Sequence, residues 1–178
     1  IEELENDRPD LVQELKEEQL EEEKRARMLT EGPYPGIGGG DPDMYVAFCW
    51  RFWHLISDGG HSGVVLPRGA FLGPATEEFR KKILEDSVVH DITFLVNNKN
   101  WIFSEVHPQY TIALTSFEKT SPSEDTALPL RGPFPSLDSF NEGVNQDPHY
   151  FEQSRAKHWT DSSSFPLLPP VPEAGGVF

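Results

Sequence analysis

The feature that most constrains this chain is the order of patterned segments between Asp41 and Lys119. DPDMYVAFCWRFWHLISDGG has helical spacing of apolar residues and ends in a Gly-Gly turn. HSGVVLP is a short apolar run closed by proline, and ATEEFRKKILEDS returns to the helical period. Two alternating segments follow, within VVHDITFLVNNKNWIF and QYTIALTSFEK, separated by about a dozen residues. Helix, strand, helix, strand, loop, strand points to an α/β fold rather than a helical bundle.

The details of each segment give expectations about packing. Met44, Phe48, Phe52 and Leu55 with Ile56 form the apolar stripe of the first helix, with Asp41 or Asp43 as its cap. Asp58-Gly59-Gly60 ends it through a left-handed position. Gly63–Pro67 is expected as a strand covered on both faces. The second helix, about Ala75 to Glu85, opens after Pro74, carries Glu77 and Glu78 in its first turn, and turns Phe79, Ile83 and Leu84 inward. Alternation places Val88, His90, Ile92, Phe94 and Val96 on one face of their strand, and Tyr110, Ile112 and Leu114 on one face of the next.

Both flanks differ from this centre. Residues 1–30 form a charged helix whose regular part begins near Pro9, with Asp7 as a cap; Leu11, Leu15 and Leu20 are too sparse for a buried face. Pairs such as Gln13–Glu17 support it from its own surface. GPYPGIGGGDP then breaks regular structure; with no strand before it and no Gly-Lys-Ser/Thr after it, it is a loop rather than a phosphate cradle. Nine of the sixteen prolines lie beyond residue 120. This tail has room for a short strand near residues 126–130 and a helix near residues 137–144, and otherwise resembles a connector.

Charge limits the partners. The formal charge is −15, and residues 1–30, with eleven acids and five bases, leave −9 on the remainder. A surface that neutralises phosphates on its own would be basic, so most cationic contact with a nucleic acid would come from elsewhere. The lone Cys49 excludes an internal disulfide framework and is expected as a small core residue. No signal peptide or membrane-length apolar run is visible, so the expectation is a soluble, cytoplasmic protein. An opening on Ile, mid-pattern, suggests a piece of a longer one. His54, His61, His90, His107, His149 and His158 show neither the spacing nor the carboxylate pattern of a zinc motif, so no metal site is expected. Gly-x-Ser-x-Gly is absent too.

Three motifs in a fixed order carry a family resemblance. They are Tyr45-Val-Ala-Phe48, then Leu55-Ile-Ser-Asp-Gly59-Gly60-His-Ser-Gly63-Val-Val-Leu-Pro67, then Asn97-Asn98-Lys-Asn-Trp101-Ile-Phe103 with Gln109–Lys119 behind it. This resembles the C-terminal half of the adenine-N6 DNA methyltransferase domain in large restriction-modification and phage-defence methylases of the type IIG kind. The resemblance covers residues 41–119. It implies the last part of a Rossmann-like class I sheet: a parallel strand plus a final antiparallel pair. Residues 1–40 would then be an insertion, 41–120 the half-domain, and 121–178 a connector toward a target-recognition domain.

The same resemblance implies S-adenosyl-L-methionine as methyl donor and double-stranded DNA as partner, both served by a complete protein. Phe48 matches a position that contacts the adenine ring of the donor. Phe103 matches the loop aromatic that stacks on the flipped target base, with Trp101 as the fallback; burial as a core plug is the other reading of Phe103. No catalytic residue is carried over, because the glycine-rich donor loop and the Asn/Asp-Pro-Pro-aromatic tetrapeptide are both absent. An exposed sheet edge is expected where the front half would pair. Two other classes stay open: a protein-interaction module using the acidic helix or the Pro-rich tail, and a methyltransferase for RNA or a small molecule.

Overall fold

The structure, a computed structural model, describes residues 7–37 and 43–165. Helix α1 spans Pro9–Thr30 and α2 Met44–Leu55, followed by strand β1, His61–Pro67. A short helix α3, Gly69–Leu72, and a 3-10 turn, Pro74–Thr76, lead into α4, Glu77–Asp86. Then come β2, Val88–Val96, β3, Thr111–Glu118, and β4, Ala127–Phe134. The rest is α5, Leu137–Gly143, β5, His149–Glu152, and the short α6, Gln153–Ala156.

Five strands form one sheet in the order β1-β3-β2-β4-β5. The antiparallel pairing of β2 with β3 agrees with the sequence. The place of Gly63–Pro67 needs correction: β1 is hydrogen-bonded antiparallel to β3, and the parallel pair is β2 with β4. Because β3 is inserted between them, β1 and β2 still run in the same direction. The tail read as a connector supplies β4, α5 and β5, and β4 begins and α5 spans close to where the sequence had room for them.

Helices α2, α3 and α4 cover one face of the sheet. Trp50 and Trp53 of α2, Phe71 of α3, and Phe79 and Ile83 of α4 pack on Ile92 and Phe94 of β2 and Phe117 of β3. Burying each such side chain contributes about 1.5–3 kcal/mol, which is why a chain only 37% hydrophobic can still close a core. A smaller cluster on the other face joins Leu95, Ile112 and Phe134 to Trp101 and Phe140. Gly63 and Val65 of β1 face solvent beside it. The expected cover on both faces of β1 is therefore absent: only the face carrying Val64 and Leu66 packs on the core.

Arg80 is fully buried, and backbone carbonyls and a hydroxyl hold its guanidinium. Its guanidinium donates to the carbonyls of Gly73 (2.6 Å) and Ser162 (2.7 Å) and to the Thr76 hydroxyl (2.8 Å). Burial draws its pKa down, while the backbone oxygens supply the hydrogen bonds that a buried cation requires. These bonds tie the segment after α3 to the end of the described tail, where Phe165 enters the core and its amide bonds the Phe71 carbonyl.

Other local expectations divide. Gly59 has φ +74°, the left-handed turn expected after α2. Gln13 donates to Glu17 at 2.7 Å on α1, and Leu11, Leu15 and Leu20 are exposed. Asp7 is not a cap: the α1 N-cap is Arg8, which ion-pairs with Asp10. Asp43 holds the N-cap position of α2 without a side-chain bond, and Asp41 lies outside the described residues. Part of the Gly-rich loop packs against the body, as Tyr34 leans on the core and the Pro35 carbonyl accepts from the Trp50 indole.

Candidate functional site

The turn from β2 into β3 is where the sequence placed its functional loop, and a buried side chain organises it. Asn97 is fully buried. Its Oδ1 accepts from the amides of Ile102 and Phe103, both at 3.0 Å. Its Nδ2 donates to the carbonyls of Phe103 (2.9 Å) and Val106 (3.1 Å). Both backbone polar groups of Phe103 are thus pinned by one amide. Trp101 is fixed as well, its indole donating to the Val96 carbonyl at 2.7 Å while its ring meets Phe140.

The Phe103 ring itself is 43% exposed. It is no core plug. A rigid backbone presenting an open aromatic face is what a stacking contact needs, because little conformational entropy remains to be lost on binding. The loop lies at the end of the sheet where Pro67 pairs with Ile112 and Val96 with Thr111, so it stands outside the carboxyl ends of β1 and β2. Ligands in open α/β sheets bind at that end.

Tyr45, at the first turn of α2, reaches the same end. A Cβ on Gly69, just after β1, would stand 2.6 Å from the Tyr45 hydroxyl, so any larger residue there would push the phenol aside. Burial, then the charge of Asp43, pushes the Tyr45 pKa up and keeps its phenol protonated.

Phe48 is placed differently from the sequence expectation. The stripe divides: Met44, Phe48 and Leu55 are exposed, Phe48 at 48%, and Phe52 and Ile56 are half-buried against the core, while Val46, Ala47, Cys49, Trp50 and Trp53 are buried. The Phe48 ring stacks on Phe52 at 6.0 Å. Among the described residues no ring contact joins Phe48 to Phe103, so this chain does not bring the two candidates together.

Strand pairing also gathers a group that spacing along the sequence conceals. His61 of β1 and His90 of β2 direct their Nε2 atoms at the same carboxylate oxygen, Glu118 Oε2 of β3, at 3.5 and 3.3 Å. The signal that could have found them is topological: β3 lies between the other two strands. This group sits at the sheet end opposite the Phe103 loop.

No protein-family model matches the chain, and no curated protein matches it. A solved structure does, that of a protein assigned as a modification subunit of a type I restriction enzyme from Vibrio vulnificus YJ016. The TM-score is 0.51 at 16% identity, over 80% of this chain. The two share a fold. The match spans 34% of that subunit, so this chain corresponds to about a third of its length. At such identity the likeness concerns architecture and not chemistry.

Proposed function

We propose that this chain is part of an S-adenosylmethionine-dependent DNA adenine-N6 methyltransferase of restriction-modification or phage-defence type, acting in the cytoplasm. It corresponds to the C-terminal part of a Rossmann-like catalytic domain. The single observation that carries the reading is Phe103, exposed on a loop that Asn97 makes rigid, at the carboxyl ends of β1 and β2. An exocyclic adenine amine is out of reach inside a duplex, so the base must be flipped and held by its faces. Phe103 covers one face. The fold shared with a restriction-enzyme modification subunit supports the same class.

In this reading the bound donor supplies an electrophilic methyl group. The chain contributes Phe48 as one wall against the donor's adenine ring, and Tyr45 and Gly69 shape the floor where α2 meets the end of β1. The open edge of β1 receives the front half of the domain, and duplex DNA is bound mainly by other, more basic parts. The test uses the complete protein with methyl-labelled S-adenosylmethionine and, in parallel, duplex DNA, RNA and small-molecule acceptors. Label recovered as N6-methyladenine from DNA is expected. Label only in RNA or in small molecules, or none at all, overturns the proposal.

A further inference from the structure

The geometry points to a zinc-class metal site formed by His61, His90 and Glu118, at the end of the sheet away from the proposed base pocket. His61 opens β1 and faces Glu118, its register partner at the end of β3, so their side chains leave the same face of the sheet. His90 arrives there through a β-bulge. The pairing of β2 with β3 skips from Val89 opposite Phe117 to Asp91 opposite Ser116, and His90 is the extra residue. A bulge re-aims a side chain in this way and is a common device beside functional sites.

Two observations favour a metal over an ordinary ion pair. Both imidazoles present Nε2 to one oxygen, whereas a simple salt bridge needs a single histidine. The spacings also suit coordination. Zinc bonds of about 2.0–2.1 Å in tetrahedral geometry hold ligand atoms about 3.3 Å apart. The two histidine–glutamate distances are 3.3 and 3.5 Å, and all three ligand atoms lie within 4.8 Å of one another. Coordination also requires the two exposed imidazoles, stacked in the free protein, to turn until their ring planes meet at the ion. Two histidines and one carboxylate leave the fourth position to water.

Bound there, the ion would link the ends of three strands and secure the exposed edge strand β1 to the strands behind it. This holds whether or not the methyltransferase reading does, since no residue of that site takes part.

Calorimetric titration of zinc chloride into tag-free, EDTA-dialysed protein tests it, with cobalt chloride as a spectroscopic probe. One equivalent should bind, the melting temperature should rise with zinc, and cobalt should shift the ring-proton resonances of His61 and His90. His61→Asn, His90→Asn and Glu118→Gln should each weaken binding by about tenfold or more, whereas His149→Asn should not. The cobalt shifts are read on the unsubstituted protein, so the test survives a variant that misfolds. Absence of stoichiometric binding, cobalt shifts on other histidines, or binding by all three variants as tight as by the unsubstituted protein overturns the assignment.

Discussion

The side-chain oxygen of Gln153 accepts the backbone amide of Val89 at 3.2 Å, immediately before the bulge that turns His90 outward. A bulge leaves a strand with an amide that the regular ladder does not pair. Gln153 supplies the missing acceptor from the first residue of α6, and its own Nε2 donates to the carbonyls of Leu84 (3.1 Å) and Ser87 (2.5 Å) at the end of α4. One buried amide therefore joins the tail, α4 and β2 at the point where the face of β2 changes.

Replacing Gln153 by Leu keeps the apolar bulk and removes all three bonds. A buried amide left without a partner costs about 1–3 kcal/mol. Gln153→Leu should lower unfolding stability by at least that amount in urea denaturation. Zinc titration of the same variant should show weaker binding, because His90 loses its fixed direction. A variant as stable as the parent would show that water replaces Gln153 at the bulge.

Asn97 works by the same principle on the loop that carries Phe103. Asn97→Ala removes the acceptor for two amides and the donor for two carbonyls. These groups lie near the surface, so the loop should open to water while the sheet survives. Hydrogen exchange should accelerate at Ile102 and Phe103 and stay slow at the amides of β3. Unchanged exchange at both positions would show that the loop holds its shape without the clamp.

Cys49 gives a prediction in pH. Burial pushes its thiol from an ordinary value of 9.0 up to about 12. Below pH 9 both the folded and the unfolded chain keep the proton, and folding is unaffected. Between 9 and about 12 only the unfolded chain releases it, so stability falls as pH rises, by up to about 1.4 kcal/mol per pH unit. Urea unfolding at about pH 8 and about pH 10.5 should show a loss that is smaller in Cys49→Ala. Equal losses in the two proteins would mean that the thiolate is tolerated in the fold.

Much of this architecture was legible in the sequence, and the failures have physical causes. The helix and strand order from Met44 to Glu118 followed from period and punctuation. The inward face of α2 did not, because MYVAFCWRFWHL is apolar all round. Met44, Phe48, Phe52 and Leu55 share helical spacing with Val46, Trp50 and Trp53, so period alone cannot choose between the faces. The bulge at His90 breaks strict alternation without a glycine or proline to announce it: Val89, Ile92 and Phe94 enter the main core. β4 contains Pro129 and extends beyond its expected length through Pro133, residues that ordinarily argue against a strand away from the edge. His61, His90 and Glu118 meet only because β3 inserts between β1 and β2, an ordering that no local pattern encodes. Asn97 lay inside a quoted motif, but its burial and four bonds belong to the folded loop.

Exposure of the Phe103 ring makes its substitution a clean test of base stacking. Removing a buried phenylalanine costs about 3–5 kcal/mol through the cavity it leaves, but a ring 43% exposed on a loop leaves little void. Phe103→Ala in the complete protein should therefore change the melting temperature only slightly. If the ring covers one face of the flipped adenine, losing it removes a contact worth about 1–3 kcal/mol. That is roughly a five- to hundred-fold drop in kcat/KM for methylation. Phe103→Trp should restore most of the rate, since stacking requires a π face and the open position accommodates a larger one. Measuring melting temperature and methylation rate together separates the roles. A folded Phe103→Ala protein that methylates at the parental rate would remove this residue from the base pocket and leave Trp101, pinned to Val96, as the aromatic to examine there.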